Sequence, residues 1–292
     1  MGAKLRRREA ITGYALLAPS LFGVVAFLVL PIFVVLWLAF QDWDLLAPLE
    51  FVGLDNFASV LTDAQFGRSL LVTLLFVLLV IPVQTGLGLF AASLLTRGLP
   101  GSTILRTIYV LPWICAPLAL GVVWKWIFAP TDGALNALLG FRVEWLSNPD
   151  LALPAVAAVT IWSQVGYVTL FFMAGLTSIP DMFLEAARID GASPWQIFWR
   201  IKVPLLRPTT FFVLVTGIIS SFQVFDTVYA LTPNGGPQGS TDVIAARIYY
   251  EAFDSFDLGR ASVMALVLLV LLVGVTLLQQ LYFRKRITYE QT

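Results

Sequence analysis

The stretch from Asp181 to Pro204 reads DMFLEAARIDGASPWQIFWRIKVP, and it predicts two short helices joined by a sharp turn. Apolar residues recur among charged ones in its first half, which is the pattern of an amphipathic helix. Gly191 can adopt the backbone conformation that a chain reversal needs. Ser193 and Pro194 then supply an N-cap and a first helical position. We therefore expect a small helical knob that fits a groove on a partner protein.

The composition of the whole chain indicates a protein that is solvated by lipid. Of its 292 residues, 59% are hydrophobic and 12% are charged, whereas a soluble domain carries about 25% charged residues. The net charge is zero, so the balance of charge over the whole chain says nothing about partners. We expect membrane lipid as a partner and no nucleic acid. The sequence has no His and a single Cys, and we expect no metal site. Cys115 lies in an apolar run and is expected to be a small buried hydrophobic residue.

Six apolar stretches are long enough to cross a bilayer, since a spanning helix needs about 20 mostly apolar residues. The cationic N-terminus resembles a signal peptide, but the stretch after it is too long for one, so we interpret it as a retained first span. The chain is expected to be an all-α polytopic membrane protein, forming a single transmembrane domain over residues 1–292. The predicted spans are 11–40, 69–96, 104–129, 152–177, 205–231 and 261–283.

The distribution of positive charge predicts the orientation of these spans. If both termini are cytoplasmic, 13 of the 18 Lys and Arg residues lie on the cytoplasmic side, four of them in the loop at 181–208. Loops rich in Lys and Arg stay on the cytoplasmic side of a membrane. We therefore expect a multi-pass protein of the cytoplasmic (inner) membrane, with both termini and the 181–204 loop in the cytoplasm.

The spacing inside the 181–204 loop resembles the EAA motif of ABC importer permeases. That motif has Glu-Ala-Ala, three residues, Gly, nine residues, Ile, any residue and Leu-Pro. Here Glu185 begins the motif, Gly191 and Ile201 follow at the same spacing, and Val203 replaces Leu before Pro204. The resemblance implies that the loop forms coupling helices in a cleft of an ATPase subunit. The coupling residues it implies are Glu185, Ala186, Ala187, Asp190, Gly191 and Pro204.

Two further segments, 111–136 and 225–262, look like sugar-uptake permeases of the maltose and glycerol-3-phosphate type. Within this group of sugar-uptake permeases, the chain is most similar to the A-type permease of actinobacterial Usp importers. The resemblance implies a type I importer permease fold and alternating access, with this chain as half of the path. It implies three partners: a paralogous second permease, a homodimeric ATPase and an extracytoplasmic sugar-binding lipoprotein at the outer loops. ATP and Mg would bind the ATPase, because no Walker-type loop occurs in this sequence.

Polar residues inside the spans are the candidate substrate contacts, since intramembrane polarity is costly and tends to face a cavity. Aromatic rings and hydroxyl or amide groups together suit a sugar, which has both C–H faces and hydroxyls. Each of these residues could instead form hydrogen bonds between helices. By similarity to the maltose-type permease, together with the intramembrane carboxylate, the candidates are Trp113, Ser163, Gln164, Tyr167, Ser221, Gln223 and Asp226. We expect the fifth span to be one continuous element that connects the 181–204 loop to Ser221, Gln223 and Asp226.

Several functions remain open at the level of sequence. The first is import of a sugar or an amino sugar, and the second is import of a glycerophosphodiester or glycerol-3-phosphate. A stand-alone secondary transporter would explain six spans but not the spacing from Glu185 to Pro204. A membrane-embedded enzyme ranks last, because the chain lacks His and an obvious nucleophile with a base. We expect a permease subunit without catalytic residues or cofactors of its own.

Overall fold

The computed structural model describes residues 2–96 and 101–284, with side chains from Ile11 onward. Contacts divide the chain into two compact units. The first comprises Met1–Asp63 and Ile248–Val267, and the second comprises Ala64–Arg247 and Leu268–Thr292. Several cations used to predict the orientation lie outside this description: Arg97, Lys285 and Arg286, and the side chains of Lys4, Arg6, Arg7 and Arg8. The single domain over 1–292 and the orientation remain predictions.

The described part of the chain is almost entirely helical. The first 63 residues form α1 (Gly2–Val24), a π-helical turn (Val25–Val29), α2 (Leu30–Leu38), β1 (Gln41–Asp42), β2 (Glu50–Phe51) and α3 (Asp55–Thr62). The two strands pair antiparallel, with Gln41 opposite Phe51. The chain continues as α4 (Ala64–Leu95), α5 (Ser102–Ile114), α6 (Pro117–Ile127), α7 (Ala134–Leu139) and α8 (Pro149–Thr177).

The second half of the chain begins with the 181–204 loop. The loop contains α9 (Asp181–Ile189), α10 (Pro194–Ile197), a π-helical turn (Phe198–Lys202) and the start of α11 (Val203–Leu205). The helices α12 (Arg207–Phe222) and α13 (Asp226–Leu231) follow the loop. Two 3₁₀ turns (Pro233–Gly235 and Pro237–Gly239) lead to α14 (Ile244–Phe253) and α15 (Leu258–Arg284). Four helical segments in the described residues are long and apolar enough to cross a membrane, or six if each of two bent pairs is one span.

The third and fifth predicted spans are each broken into two helices. α5 and α6 meet at an angle of 98° across Cys115 and Ala116, where Pro117 begins the second helix without a backbone N–H to donate. In the fifth stretch, α12 ends at Phe222 and α13 begins at Asp226. The expected continuous element from the loop through the fifth span is therefore wrong, because the backbone at Phe225 leaves the helical region (φ −132°, ψ −60°).

The second unit is built around the pair α4 and α8. The helices approach so closely at Gly88 that an added Cβ would overlap the Val168 side chain, which is how small residues bring membrane helices together. At the end of α4 nearest the loop after α13, Ser69 Oγ donates a hydrogen bond to Asp242 Oδ2 at 3.0 Å. Burial raises the pKa of the Asp242 carboxyl, partly offset by this hydrogen bond. The hydrogen bond between Ser69 and Asp242 holds the 232–243 loop, which follows α13, on α4.

An ion cluster holds the first unit together at the start of α15. Arg260 Nη2 lies 2.8 Å from Asp63 Oδ2, and its Nε lies 2.7 Å from Glu251 Oε1. Glu251 is almost fully buried, while the Arg260 side chain is 23% exposed. Burial also raises the pKa of the neighbouring Asp257 carboxyl. A buried carboxylate of this kind depends on its paired cation, because an uncompensated charge away from water is costly.

Replacing Arg260 with methionine should therefore destabilise the protein by about 2 kcal/mol, below the full cost of breaking a buried pair because the arginine keeps some solvent contact. The matched control is Arg142→Met, whose partner Glu144 lies at 3.4 Å with both side chains more than half exposed. We expect that change to cost less than about 0.5 kcal/mol. Thermal unfolding in detergent measures both, and equal midpoints for the two variants would contradict the assignment.

Candidate functional site

A cavity of about 380 Å³ lies inside the second unit, between α4, the α5–α6 break, α8 and the α12–α13 break. All seven residues predicted as substrate contacts line it: Trp113, Ser163, Gln164, Tyr167, Ser221, Gln223 and Asp226. They come from three separate stretches of sequence and meet at one place. Their role as substrate contacts stays a prediction, but their convergence is a property of the fold.

Aromatic rings form one wall of this cavity. The rings of Trp113 and Tyr167 lie 4.9 Å apart at an interplanar angle of 33°. The Tyr167 ring also packs on Phe171 at 4.7 Å, and Phe171 packs on Phe212 at the same distance, although neither phenylalanine lines the cavity. α5 can approach α8 here because Gly166 packs directly on the Tyr109 backbone. Trp113 and Tyr167 thus offer an aromatic surface beside polar groups, an arrangement that suits a solute with both apolar and polar surface.

Both breaks in the helices open onto the cavity, since its lining includes Cys115 at one break and Val224 with Phe225 at the other. Irregular backbone at membrane depth is tolerated only inside protein or beside water. Asp226 is the first residue of α13, and a helix N-terminus favours a nearby negative charge. The second break therefore places a carboxylate at the cavity.

The sequence analysis missed several polar residues of the lining, among them Gln84 and Thr216, and misplaced Cys115. Gln84 on α4 is 3% exposed and Thr216 lies on α12, and both line the cavity. Gln84 is a polar residue inside an otherwise apolar span, which is itself a signal of a functional position. Cys115 was expected to be buried, but it is exposed and lines the cavity. The error arose because apolar sequence context does not reveal a break in the helix.

The 181–204 loop is the second site, and its local geometry follows the sequence closely. Gly191 has φ +76°, the left-handed conformation that glycine adopts without steric cost. Its N–H donates to the Arg188 carbonyl at 3.1 Å, and the Ala192 N–H donates to that of Ala187 at 2.9 Å. These two bonds define a Schellman motif that closes α9. The predicted chain reversal at Gly191 is confirmed.

The next helix begins with the predicted cap. Gln196 N–H donates to Ser193 Oγ at 3.3 Å, and Ser193 N–H donates to Gln196 Oε1 at 2.8 Å. This reciprocal pair is a capping box, which satisfies two N-terminal donors of a short helix. The chain then bends by 65° before α12. A turn and a cap in immediate succession fix the angle between α9 and α10.

One face of the loop packs on the ends of the long helices, and the other is exposed. The buried face contributes Leu184, Ala187 and Ile197 to a core shared with residues of α4 and α8. The exposed apolar side chains are Met182, Phe183, Ile189, Trp195 and Trp199. Of the six predicted coupling residues, Glu185, Ala186, Asp190 and Gly191 are exposed, Ala187 is buried and Pro204 is half-buried. An anchored knob with an apolar outer surface is suited to docking.

These features define a class of protein: a polytopic helical membrane protein with a polar cavity between broken helices and a rigid, exposed helical loop at one end. Its sequence matches the model of the family "Binding-protein-dependent transport system inner membrane component" over residues 84–288. Because the match covers more than half of the chain, the chain belongs to this family of ABC importer permeases.

Curated relatives agree with the family. The chain is 38% identical over 280 residues to "Probable ABC transporter permease protein YesP" of Bacillus subtilis, covering 93% of this chain and 90% of the relative. It is 35% identical over 284 residues to "sn-glycerol-3-phosphate transport system permease protein UgpA" of Agrobacterium fabrum, covering 96% and 97%. The chain is therefore a non-catalytic permease subunit, and ATP hydrolysis belongs to a separate subunit.

Solved structures agree on the fold. A chain of a bacterial ABC transporter involved in the import of alginate superposes with a TM-score of 0.86 at 23% identity, covering 98% of this chain and 99% of that one. The MetNI methionine ABC transporter gives 0.53 at 17% identity, covering 77% and 97%. The predicted type I importer permease fold is confirmed. The alternatives of a secondary transporter and an enzyme are wrong, because the chain belongs to a family of ABC permease subunits.

Proposed function

We propose that this permease carries a sugar or an amino sugar, and that the cavity lined by the seven predicted residues is its half of the path. The observation that supports this most is the ring pair of Trp113 and Tyr167, 4.9 Å apart, beside hydroxyl and amide groups in one cavity. Sugars stack their C–H faces on aromatic rings while their hydroxyls form hydrogen bonds. A purely apolar or purely polar lining would not suit such a solute.

The 181–204 loop would couple this path to an ATPase homodimer that binds ATP and Mg. Its outer surface carries Glu185 and Asp190 among exposed apolar side chains, and its inner surface is fixed to α4 and α8. A rigid knob of this kind transmits a movement of its partner to the helices on which it is anchored. This role requires the loop and both termini to be cytoplasmic, as the charge distribution predicts.

The remaining partners follow from the family. A paralogous second permease would complete the path, so that the chain acts as one transmembrane domain in an alternating-access pair. An extracytoplasmic sugar-binding lipoprotein would deliver the solute to the outer loops. The structure of an alginate ABC transporter in complex with a periplasmic protein supports the binding-protein partner, and membership of the family of ABC importer permeases supports the ATPase partner. The proposal includes that the chain is an A-type permease of the kind found in actinobacterial Usp importers.

Glycerol-3-phosphate, or one of its diesters, is the second candidate solute. It is favoured by the names of the UgpA relatives, which are 33 to 35% identical to this chain over most of their length. A phosphate ester is an anion, so it makes different demands on the cavity from those of a sugar. The two candidates are therefore separable by the charge of the solute.

A transport measurement with a matched pair of tryptophans tests the role of the cavity. The importer is reconstituted in vesicles after a screen of its binding protein with sugars, amino sugars and glycerol-3-phosphate. Replacing Trp113 with alanine should lower ATP-dependent uptake of the captured solute roughly tenfold, as loss of one stacking contact implies. Trp126→Ala is the control, since Trp126 is similarly exposed but does not line the cavity. Equal uptake by both variants would contradict the proposed path.

A further inference from the structure

Three hydroxyl groups of the cavity lining act as hydrogen-bond acceptors toward a solute, because each already donates within its own helix. Thr160 Oγ1 donates to the Val156 carbonyl at 3.1 Å, and Ser163 Oγ donates to that of Thr160 at 2.9 Å. Thr216 Oγ1 donates to the Phe212 carbonyl at 2.9 Å. A hydroxyl has one proton and two lone pairs. Once the proton is used, these three oxygens can only accept hydrogen bonds from a solute.

Gln84 adds a further acceptor that has no protein partner. Its side chain is 97% buried at the cavity wall, and its Oε1 receives no hydrogen bond from the described residues. A buried amide oxygen without a partner lowers the stability of the folded protein. This loss of stability is recovered when a ligand donates to the group. Gln84 on α4 therefore points to a solute that brings hydrogen-bond donors into the cavity.

The charge of the lining has one sign. Asp226 contributes a carboxylate, and the part of the lining that the structure describes contains no Lys or Arg. In a site of low dielectric constant, one such charge acts on a solute over several ångströms. The potential in the cavity is then negative.

From this geometry we propose that the cavity selects hydroxyl-rich solutes that are neutral or cationic, with Asp226 and Gln84 as the determinants, and that it disfavours phosphate esters. The proposal rests on the function proposed above and chooses between its two candidate solutes. A neutral or cationic polyol supplies donors to the acceptors of the cavity. A phosphate group supplies further acceptors and a negative charge. The Asp226 carboxylate repels that charge and has no proton to donate to those acceptors.

The single cysteine of the chain allows a direct test, because Cys115 is exposed at the cavity. The assembled importer in nanodiscs is treated with three methanethiosulfonate reagents of similar size: a trimethylammonium cation, a neutral hydroxyethyl reagent and a sulfonate anion. The modification rate of this chain is followed by intact mass. Each rate is divided by the rate with a free thiol, and the neutral reagent corrects for the reactivity of Cys115 itself.

The expected result is that the cation reacts faster than the anion by at least roughly tenfold, as one nearby charge in a partly desolvated site implies. Asp226→Asn should bring this ratio close to one while leaving the neutral rate unchanged. Asp150→Asn is the matched control, because Asp150 also lies in the first turn of a helix of the second unit but does not line the cavity. Gln84→Leu should leave the ratio unchanged, since an amide has no net charge.

A ratio near or below one in the unaltered chain would overturn the proposal, as would a ratio that Asp226→Asn does not change. These outcomes are independent of the transport measurement. If the ratio is high and depends on Asp226 but no sugar is taken up, the charge selectivity stands and the proposed sugar transport fails. If sugar is taken up but the ratio is near one, the charge selectivity alone fails.

Discussion

Replacing Gly191 with valine should lower ATP-driven uptake by at least about tenfold while the chain still assembles in the membrane. Gly191 holds φ +76° at the Schellman turn between α9 and α10. A β-branched residue in this conformation is strained by more than about 1–2 kcal/mol. None of the residues that the structure describes lies within 4 Å of an added Cβ, so the effect acts on the backbone. Relief of the strain would change the angle between the two helices and displace the docking surface.

The control for this prediction is a second glycine with the same conformation. Gly140 also has φ +76°, ends α7 and has open space around an added Cβ. Gly140→Val should therefore introduce the same strain without touching the 181–204 loop. We expect near-normal uptake and ATPase co-purification with Gly140→Val, and loss of both with Gly191→Val. Gly191→Asn should retain most activity, because asparagine visits the left-handed region at low cost. Normal transport by Gly191→Val would refute the coupling role.

The loop could be predicted from sequence because its structure is encoded locally. Gly191, Ser193 and Pro194 each act on the backbone within a few residues, so the turn and the cap do not depend on distant contacts. The exposed outer face is also a local property of an amphipathic helix. What docks on that face cannot be read from the residues themselves, and it entered through resemblance to a family.

The cavity was only partly predictable, since it depends on how the helices break and meet. Polarity within the spans, together with resemblance to the maltose-type permease, indicated seven residues that the structure brings to this cavity, since polar side chains avoid lipid. An average of hydropathy along the sequence does not show where a helix breaks. The break at Cys115 was therefore missed, and the cysteine was expected to be buried. Gln84 was missed because a single polar residue changes the mean hydropathy of a long apolar stretch very little.

The close crossing of α5 and α8 gives the second large prediction, because the aromatic wall depends on it. Gly166 packs against the carbonyl of Tyr109, and an added Cβ would overlap that oxygen and approach the Val110 backbone. Backbone atoms cannot rotate away as a side chain can, so Gly166→Ala should cost about 3 kcal/mol or more. The helices must separate to accommodate the methyl group. Trp113 on α5 would then move away from Tyr167, which directly follows Gly166 on α8.

A second glycine in the same unit separates this steric effect from a general effect of alanine. Gly86 lies within α4, and no atom lies within 4 Å of an added Cβ. Gly86→Ala should be neutral or stabilise the helix by about 0.5–1 kcal/mol. We expect thermal unfolding of the purified importer to shift down by several degrees with Gly166→Ala only, with loss of uptake in the same variant. If both variants unfold at the same temperature, α5 and α8 do not cross at Gly166, and the aromatic wall of the cavity cannot be built as the structure has it.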